Sequence, residues 1–216
     1  MVSRACGFGS TTSRASRETV NSTTGVKMSP EASAVHYTID PTNSRVTVRA
    51  FAAGLLSGFG HNPVIAFRDF SGEVSFAPDD ITKSSVGITI KAGSFEVQND
   101  VSEKDRGEML RTMNDQVLEV GRFPDIAFES RQVSGMQLGE SLYVLKIEGD
   151  LFLHGVTRRR TVSLNVVPAD DKLRAYGEFS IKQSDFKIKL VSVAGGALKV
   201  KDELKISFDV TAKKDS

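Results

Sequence analysis

At 216 residues, with 39% hydrophobic and 25% charged side chains, the chain has room for one domain with a sizeable core and the composition of an ordinary globular protein. A net charge of +1 lacks the basic excess of a phosphate-binding surface, so no nucleic acid is expected as partner. No apolar run approaches the ~20 residues of a spanning helix, which excludes stable membrane insertion through helices.

The first 33 residues are rich in Ser, Thr and Arg and lack hydrophobic periodicity, so residues 1–33 read as a disordered polar extension and 34–216 as the folded domain. The extension has no apolar run of the roughly 7 to 15 residues that a secretory signal needs, and the expected location is cytoplasmic. Cys6, the single cysteine, cannot form an internal disulfide and reads as an exposed thiol. The segment Met1 to Pro30 carries a net charge of +3, leaving a mildly acidic body of −2. Met28 offers a second start.

Order is expected from His36. Val46, Val48 and Ala50 alternate with Arg45, Thr47 and Arg49, the period of a strand with one wet face. Ala52 to Pro63 breaks that period with three glycines and a proline, and reads as a loop whose Leu55, Leu56 and Phe59 border an entrance. Phe70, Gly72, Val74 and Phe76 form the next alternating set, closed by the turn Pro78-Asp79-Asp80, and Val86, Ile88 and Ile90 the one after it. A helix is predicted from Ser102 to Leu118: Ser102 and Asp105 make a capping-box pattern, and Met109, Leu110, Met113 and Val117 trace one apolar stripe.

Strands resume with Ile126 and Phe128. Tyr143, Leu145, Ile147, Gly149, Leu151 and Leu153 then share one face, followed by Val162, Leu164 and Val166 on the next strand. The link His154-Gly155-Val156-Thr157, with Arg158 to Arg160, reads as a hairpin turn. Ala175, Gly177, Phe179 and Ile181, and finally Leu204, Ile206, Phe208 and Val210, complete about eight long strands. The fold class is therefore all-β; the alternation fits an antiparallel barrel of about eight strands with one helix between strands, and equally a two-sheet sandwich.

LYVLKIEGDLFLHGVT with the basic run after it resembles the signature hairpin of the YceI-like family of lipocalin-like proteins. YTIDPTNSRVTV (Tyr37 to Val48), RDFSGEVSFAPDD (Arg68 to Asp80), KDRGEMLR (Lys104 to Arg111), FPDIAFES (Phe123 to Ser130) and IKQSDFKI (Ile181 to Ile188) extend the resemblance over about residues 36–213. It implies a lipocalin-like barrel around an elongated apolar cavity that holds polyisoprenoid or fatty-acyl chains. Family members are often exported with a signal peptide, from which this lead segment departs. The family's helix commonly has a histidine before Leu-Arg, where this chain has Met109.

On that reading the ligand-facing residues are Val46, Val48, Phe70, Val74, Phe76, Ile88, Ile90, Met109, Met113, Ile126, Phe128, Leu145, Ile147, Leu151, Phe179 and Ile181, none of them ionisable. The expected function is non-enzymatic binding, transport or sequestration of a long-chain apolar lipid. An enzyme using His154 or His61 on such a lipid, and a filled barrel acting as an interaction module, are the competing readings. No nucleophile motif, metal-ligand spacing or phosphate loop is present, so neither metal nor cofactor is expected, and a homodimer is left open. Arg158 to Arg160 and the late lysines (Lys182, Lys187, Lys189, Lys199, Lys201, Lys205) read first as solvated edges. If the extension is dispensable, a chain starting at Met28 melts at the temperature of the full chain; a large drop in melting temperature shows instead that the segment packs on the barrel.

Overall fold

The computed structural model describes residues 34–53, 62–193 and 198–215. The extension expected to be disordered, Cys6, the expected entrance residues Leu55, Leu56 and Phe59, and His61 lie outside the described residues. The elements in chain order are β1 (Val35–Ile39), β2 (Arg45–Arg49), β3 (Ala52–Ala53), β4 (Val64–Phe67), β5 (Phe70–Phe76), β6 (Ser85–Lys91), β7 (Phe95–Val97), α1 (Glu103–Thr112), β8 (Asp125–Gln137), β9 (Tyr143–Leu153), β10 (Val156–Pro168), β11 (Lys172–Lys182), β12 (Ser192–Val193), β13 (Leu198–Val200) and β14 (Glu203–Lys214).

Eight strands close antiparallel in the order β1-β5-β6-β8-β9-β10-β11-β14, because β14 pairs with β11 along one edge and with β1 along the other. This closure decides for a barrel over a sandwich. β14 continues past β1 to pair with β2, from Lys205↔Arg49 to Asp209↔Arg45, so β1 and β2 are two halves of one interrupted strand. The neighbouring strand breaks likewise into β4 and β5, and the one after it into β6 and β7: β2 pairs with β4 and β4 with β7, while β1 pairs with β5 and β5 with β6. At the β7 end the sheet therefore leaves a free edge. α1 covers it, and the Arg106 guanidinium donates to the carbonyls of Val97 (2.6 Å) and Asn99 (3.1 Å), satisfying acceptors that a further strand would have used.

The interruption between β1 and β2 is built by Asp40, 7% exposed. Its carboxylate accepts from the Thr42 amide (3.0 Å), the Asn43 side chain (2.8 Å) and Lys213 Nζ (2.7 Å), while Ser44 Oγ donates to the Asp40 carbonyl (2.6 Å) and accepts from the Thr211 amide (2.9 Å). A local 3-10 turn, Pro41–Asn43, is thereby tied to the closing strand.

Two apolar clusters form the core. One gathers Tyr37, Phe76, Val133, Tyr143, Val166 and Leu173 at one end of the barrel, where the Phe76 and Tyr143 rings meet edge to face at 5.1 Å. The other gathers Phe67, Val97, Leu118, Leu153, Phe186 and Ile188 towards the helix end.

Lys213, and after it Asn43, holds the Asp40 carboxyl far below the usual carboxylate range. A carboxyl with a folded-state pKa below its unfolded value contributes stability above about pH 4, and that contribution is lost as the pH falls through the folded value. The melting temperature of the wild-type protein is therefore expected to fall more steeply under acid than that of Asp40→Asn; parallel acid profiles would remove Asp40 from the account.

Candidate functional site

Between the two clusters lies a cavity of about 620 Å³. Its wall is drawn from the inward face of the barrel strands, from α1 and the turn after it, and from the segment around Gln183 to Val200. The side chains are aliphatic or aromatic apart from Asp105, Glu108, Thr112 and Gln183 among the described residues. Asp105 and Glu108 are exposed, so the cavity reaches the surface beside α1.

Thirteen of the sequence-predicted ligand-facing residues stand on this wall: Val46, Val48, Val74, Ile88, Ile90, Met109, Met113, Ile126, Phe128, Ile147, Leu151, Phe179 and Ile181. Phe70, Phe76 and Leu145 do not. They are buried in the first cluster, where tight packing leaves no free surface. Inward-facing and cavity-facing are thus different properties, and close packing by neighbouring side chains separates them. The strand pattern also places Val162, Leu164, Ile206, Phe208 and Val210 on the wall, residues whose alternation is plain in the sequence but which the expected site omitted. Ile65 and Phe67 join from β4, too short and too uniformly apolar to show a period.

The inward surface is hollowed by glycine. A Cβ on Gly149 would lie 2.5 Å from the Phe128 ring and 2.5 Å from the Glu129 carbonyl, so only glycine lets that ring rest against β9. Gly177 on β11 serves the Phe208 ring in the same way, at 3.1 Å.

α1 begins as the spacing predicts, with Ser102 Oγ accepting from the Asp105 amide at 3.1 Å. Its end differs from a plain helix: Met113–Val117 widens into a π turn, with the Leu118 amide donating to the Met113 carbonyl at 2.8 Å. No residue of α1 itself is fully buried. Thr112, Met109 and Met113 face the cavity, and methionine adapts readily to an irregular apolar surface.

The hairpin between β9 and β10 turns on only two residues, His154 (φ 51°) and Gly155 (φ 72°). Arg158 to Arg160 therefore belong to β10 and not to the turn. Arg159 pairs with Glu148 (3.2 Å) and Asp150 (3.3 Å) across the strand pair, and Arg160 with Asp185, so two of the three charges are neutralised locally. His154, 8% exposed, is absent from the cavity wall. Its Nδ1 lies 3.2 Å from the Phe186 carbonyl, which can only accept, so that nitrogen carries a proton. Nε2 lies 3.2 Å from Glu119, and the Phe123 ring covers the imidazole at 4.5 Å. Arg122 first, and then His154, holds the Glu119 carboxyl below its ordinary range. The arrangement fastens the turn after α1, the hairpin and the Gln183–Phe186 turn to one another. Among the described residues no group of three or more His, Cys, Asp or Glu side chains could hold a metal ion, and no helix is long and apolar enough to cross a membrane.

Removing a buried hydrogen-bonded ring leaves a carbonyl unpaired, so His154→Ala is expected to lower stability by about 1–3 kcal/mol in denaturant titrations; an unchanged midpoint would mean that the three segments hold without it.

A family model described as a YceI-like domain matches residues 37–212. Among curated relatives, a UPF0312 protein of Vibrio campbellii is 26% identical over 166 residues, covering 74% of this chain and 81% of its own length. A UPF0312 protein of Shewanella denitrificans is 27% identical over 164 residues, covering 73% and 78%. Among solved structures, a polyisoprenoid binding domain from Saccharophagus degradans, implicated in plant cell wall breakdown, superposes with a TM-score of 0.63 at 17% identity, covering 84% of this chain and 99% of that one. Burkholderia cenocepacia BcnA superposes with a TM-score of 0.60 at 21% identity, covering 80% and 98%. These structures share the fold. With the family model spanning nearly all of the barrel, the chain belongs to the YceI-like family.

Proposed function

We propose that the chain binds one linear, long-chain apolar lipid, of polyisoprenoid or fatty-acyl type, in the barrel interior, and that it carries or sequesters this lipid without changing it chemically. The observation that supports this most is the cavity itself: about 620 Å³, with ionisable groups among the described residues only where it meets α1. That volume lies within the roughly 300–1,000 Å³ of ligand pockets. The polyisoprenoid-binding domain of similar fold supports the same ligand class.

Burial of a hydrocarbon contributes about 0.8 kcal/mol per CH₂. Roughly ten buried carbons therefore offset a substantial part of the ~4–15 kcal/mol lost on association. The non-enzymatic reading is supported by the position of His154, sealed between Phe123, Glu119 and the Phe186 carbonyl and away from the wall. α1 acts as the movable side of the entrance, since none of its residues is fully buried and its apolar stripe faces the ligand.

Affinity measured over a series of isoprenols and fatty acids is expected to rise with chain length and then level off when the cavity is full. Native mass spectrometry of the protein as purified is expected to show a co-purified lipid. Phe128→Trp and Ile147→Phe, which fill space while remaining apolar, are expected to shorten the longest chain accepted. Folded variants with full occupancy, or a wild-type protein that binds none of the series, would replace the hollow barrel with a packed core.

A further inference from the structure

Residues Lys187 to Lys201 contain four lysines and neither Asp nor Glu, in a chain whose net charge is only +1. Lys187, Lys189, Lys199 and Lys201 are all exposed. The lysine ion pairs among the described residues involve Lys83, Lys91, Lys205 and Lys213, so these four carry uncompensated charge there. Between Lys189 and Val191 stands Leu190, 42% exposed, one of few large apolar side chains presented to solvent. The same segment faces the cavity with its other side, through Ile188, Val191 and Val200. Its described residues are tied to the barrel: Val200 donates to the Val191 carbonyl (3.0 Å), Lys201 to that of Phe51 (2.8 Å), and Gln183 Nε2 to that of Lys201 (2.9 Å).

Protection of sheet edges accounts for this pattern only in part. β13 is the central strand of the small sheet β12-β13-β3, yet Lys199 lies on it, and edge protection gives no reason for an exposed Leu190. Lysines around an exposed leucine, beside the opening of an apolar cavity, suit a surface that is both anionic and apolar within a few ångströms of depth.

We propose that this rim docks on an anionic lipid leaflet, with the lysines against head groups and Leu190 in the interface, so that lipid passes between bilayer and cavity without crossing water. The proposal rests on the lipid-binding reading of the cavity. α1 carries Glu103, Asp105 and Glu108 against Lys104, Arg106 and Arg111, so it adds no net charge of its own. The uncompensated lysine charge therefore turns the rim towards the leaflet. Asp202 and Glu203 adjoin the rim, but Asp202 is turned inward onto the Ser184 amide (2.8 Å) and hydroxyl (2.6 Å). Asp185 is neutralised by Arg160, and Glu203 remains as the one acid next to Lys182 on β11.

The test is co-sedimentation of the full chain with vesicles of phosphatidylcholine and phosphatidylglycerol, against phosphatidylcholine alone. Binding is expected only with the anionic vesicles, weakening with salt. Each lysine near such a surface contributes about fivefold in partitioning, so the variant Lys187→Gln/Lys189→Gln/Lys199→Gln/Lys201→Gln is expected to lose at least one order of magnitude. Leu190→Ser, which leaves the charges in place, is expected to weaken binding less, and it carries the test if the fourfold variant fails to melt cooperatively. The basic lead segment is present in all these proteins, so the differences read the rim. Isoprenol affinity without vesicles is expected to be unchanged in both variants, which separates loss of docking from failure of the cavity. Wild-type protein that does not sediment with anionic vesicles, or folded rim variants that sediment like wild type, would overturn the proposal.

Discussion

The barrel depends on one strand. β14, the last strand of the chain, closes the ring: it pairs with β11 from Lys182↔Glu203 to Lys172↔Lys213, and on its other side with β1 and β2. Because β1 and β2 share that partner but are separated by a 3-10 turn, the far edge carries a corner in which Asp40 to Ser44 stand opposite Val210 and Thr211 alone, and the register shifts across it. Asp40, Ser44 and Thr211 achieve this through side chain and backbone together, and the Asp40 amide donates to the Thr211 carbonyl at 2.9 Å. The chain's last long strand therefore fixes the position of its first, and the barrel has its closure only when residues 173 positions apart meet, as Ile39 and Ala212 do within one ladder. Such long-range pairing is slow to form but leaves few exposed edges.

The corner has a second consequence. Three successive strands break at the same level, and their far halves splay away to end at β7, without a partner strand between β7 and β8. A helix occupies that gap. Sheet on one side and helix on the other make a wall of unequal rigidity: the strands are held by continuous ladders, whereas α1 is held by its cap, by Arg106 on the β7 carbonyls and by the fastening at His154 and Glu119. Opening the wall at the helix costs a few hydrogen bonds and little buried apolar surface; opening it at a strand breaks a ladder. On the lipid-binding proposal, the entrance belongs on the helical side for that reason.

Much of this was legible in the sequence. Period-two alternation placed the inward faces of β5, β6, β9, β11 and β14 correctly, and the Ser102 cap set the start of the helix. What escaped has physical causes. β8 carries a bulge at Arg131, between Ser130 and Gln132, which flips the alternation so that Val133 points inward five residues after Phe128. A single inserted residue is invisible to a periodicity argument unless the partner strand is known. Charge and glycine adjoin at Arg158 to Arg160 and read as a turn, yet the turn needs only His154 and Gly155, and the three arginines continue in β10, where Arg159 pairs with acids of β9 and Arg160 with Asp185. Phe70, Phe76 and Leu145 face inward as the pattern says; only three-dimensional packing decides that their neighbours cover them.

Why the rest of the interior is open can be traced to residues that add nothing to a hydrophobic count. An eight-stranded barrel is just wide enough for its inward side chains to fill it, so a cavity requires that some of them be missing or turned aside. On β9 and β11 the inward rows contain Gly149 and Gly177, and the rings of Phe128 and Phe208 from neighbouring strands lie against these bare backbones. Each glycine removes a side chain from the interior and gives an aromatic ring a place on the wall instead of across the axis. Phe208 then meets Phe179 at 6.5 Å along the wall, so the largest inward side chains line the space without blocking it. The apolar alternation makes the barrel close; the two glycines within it leave the barrel hollow.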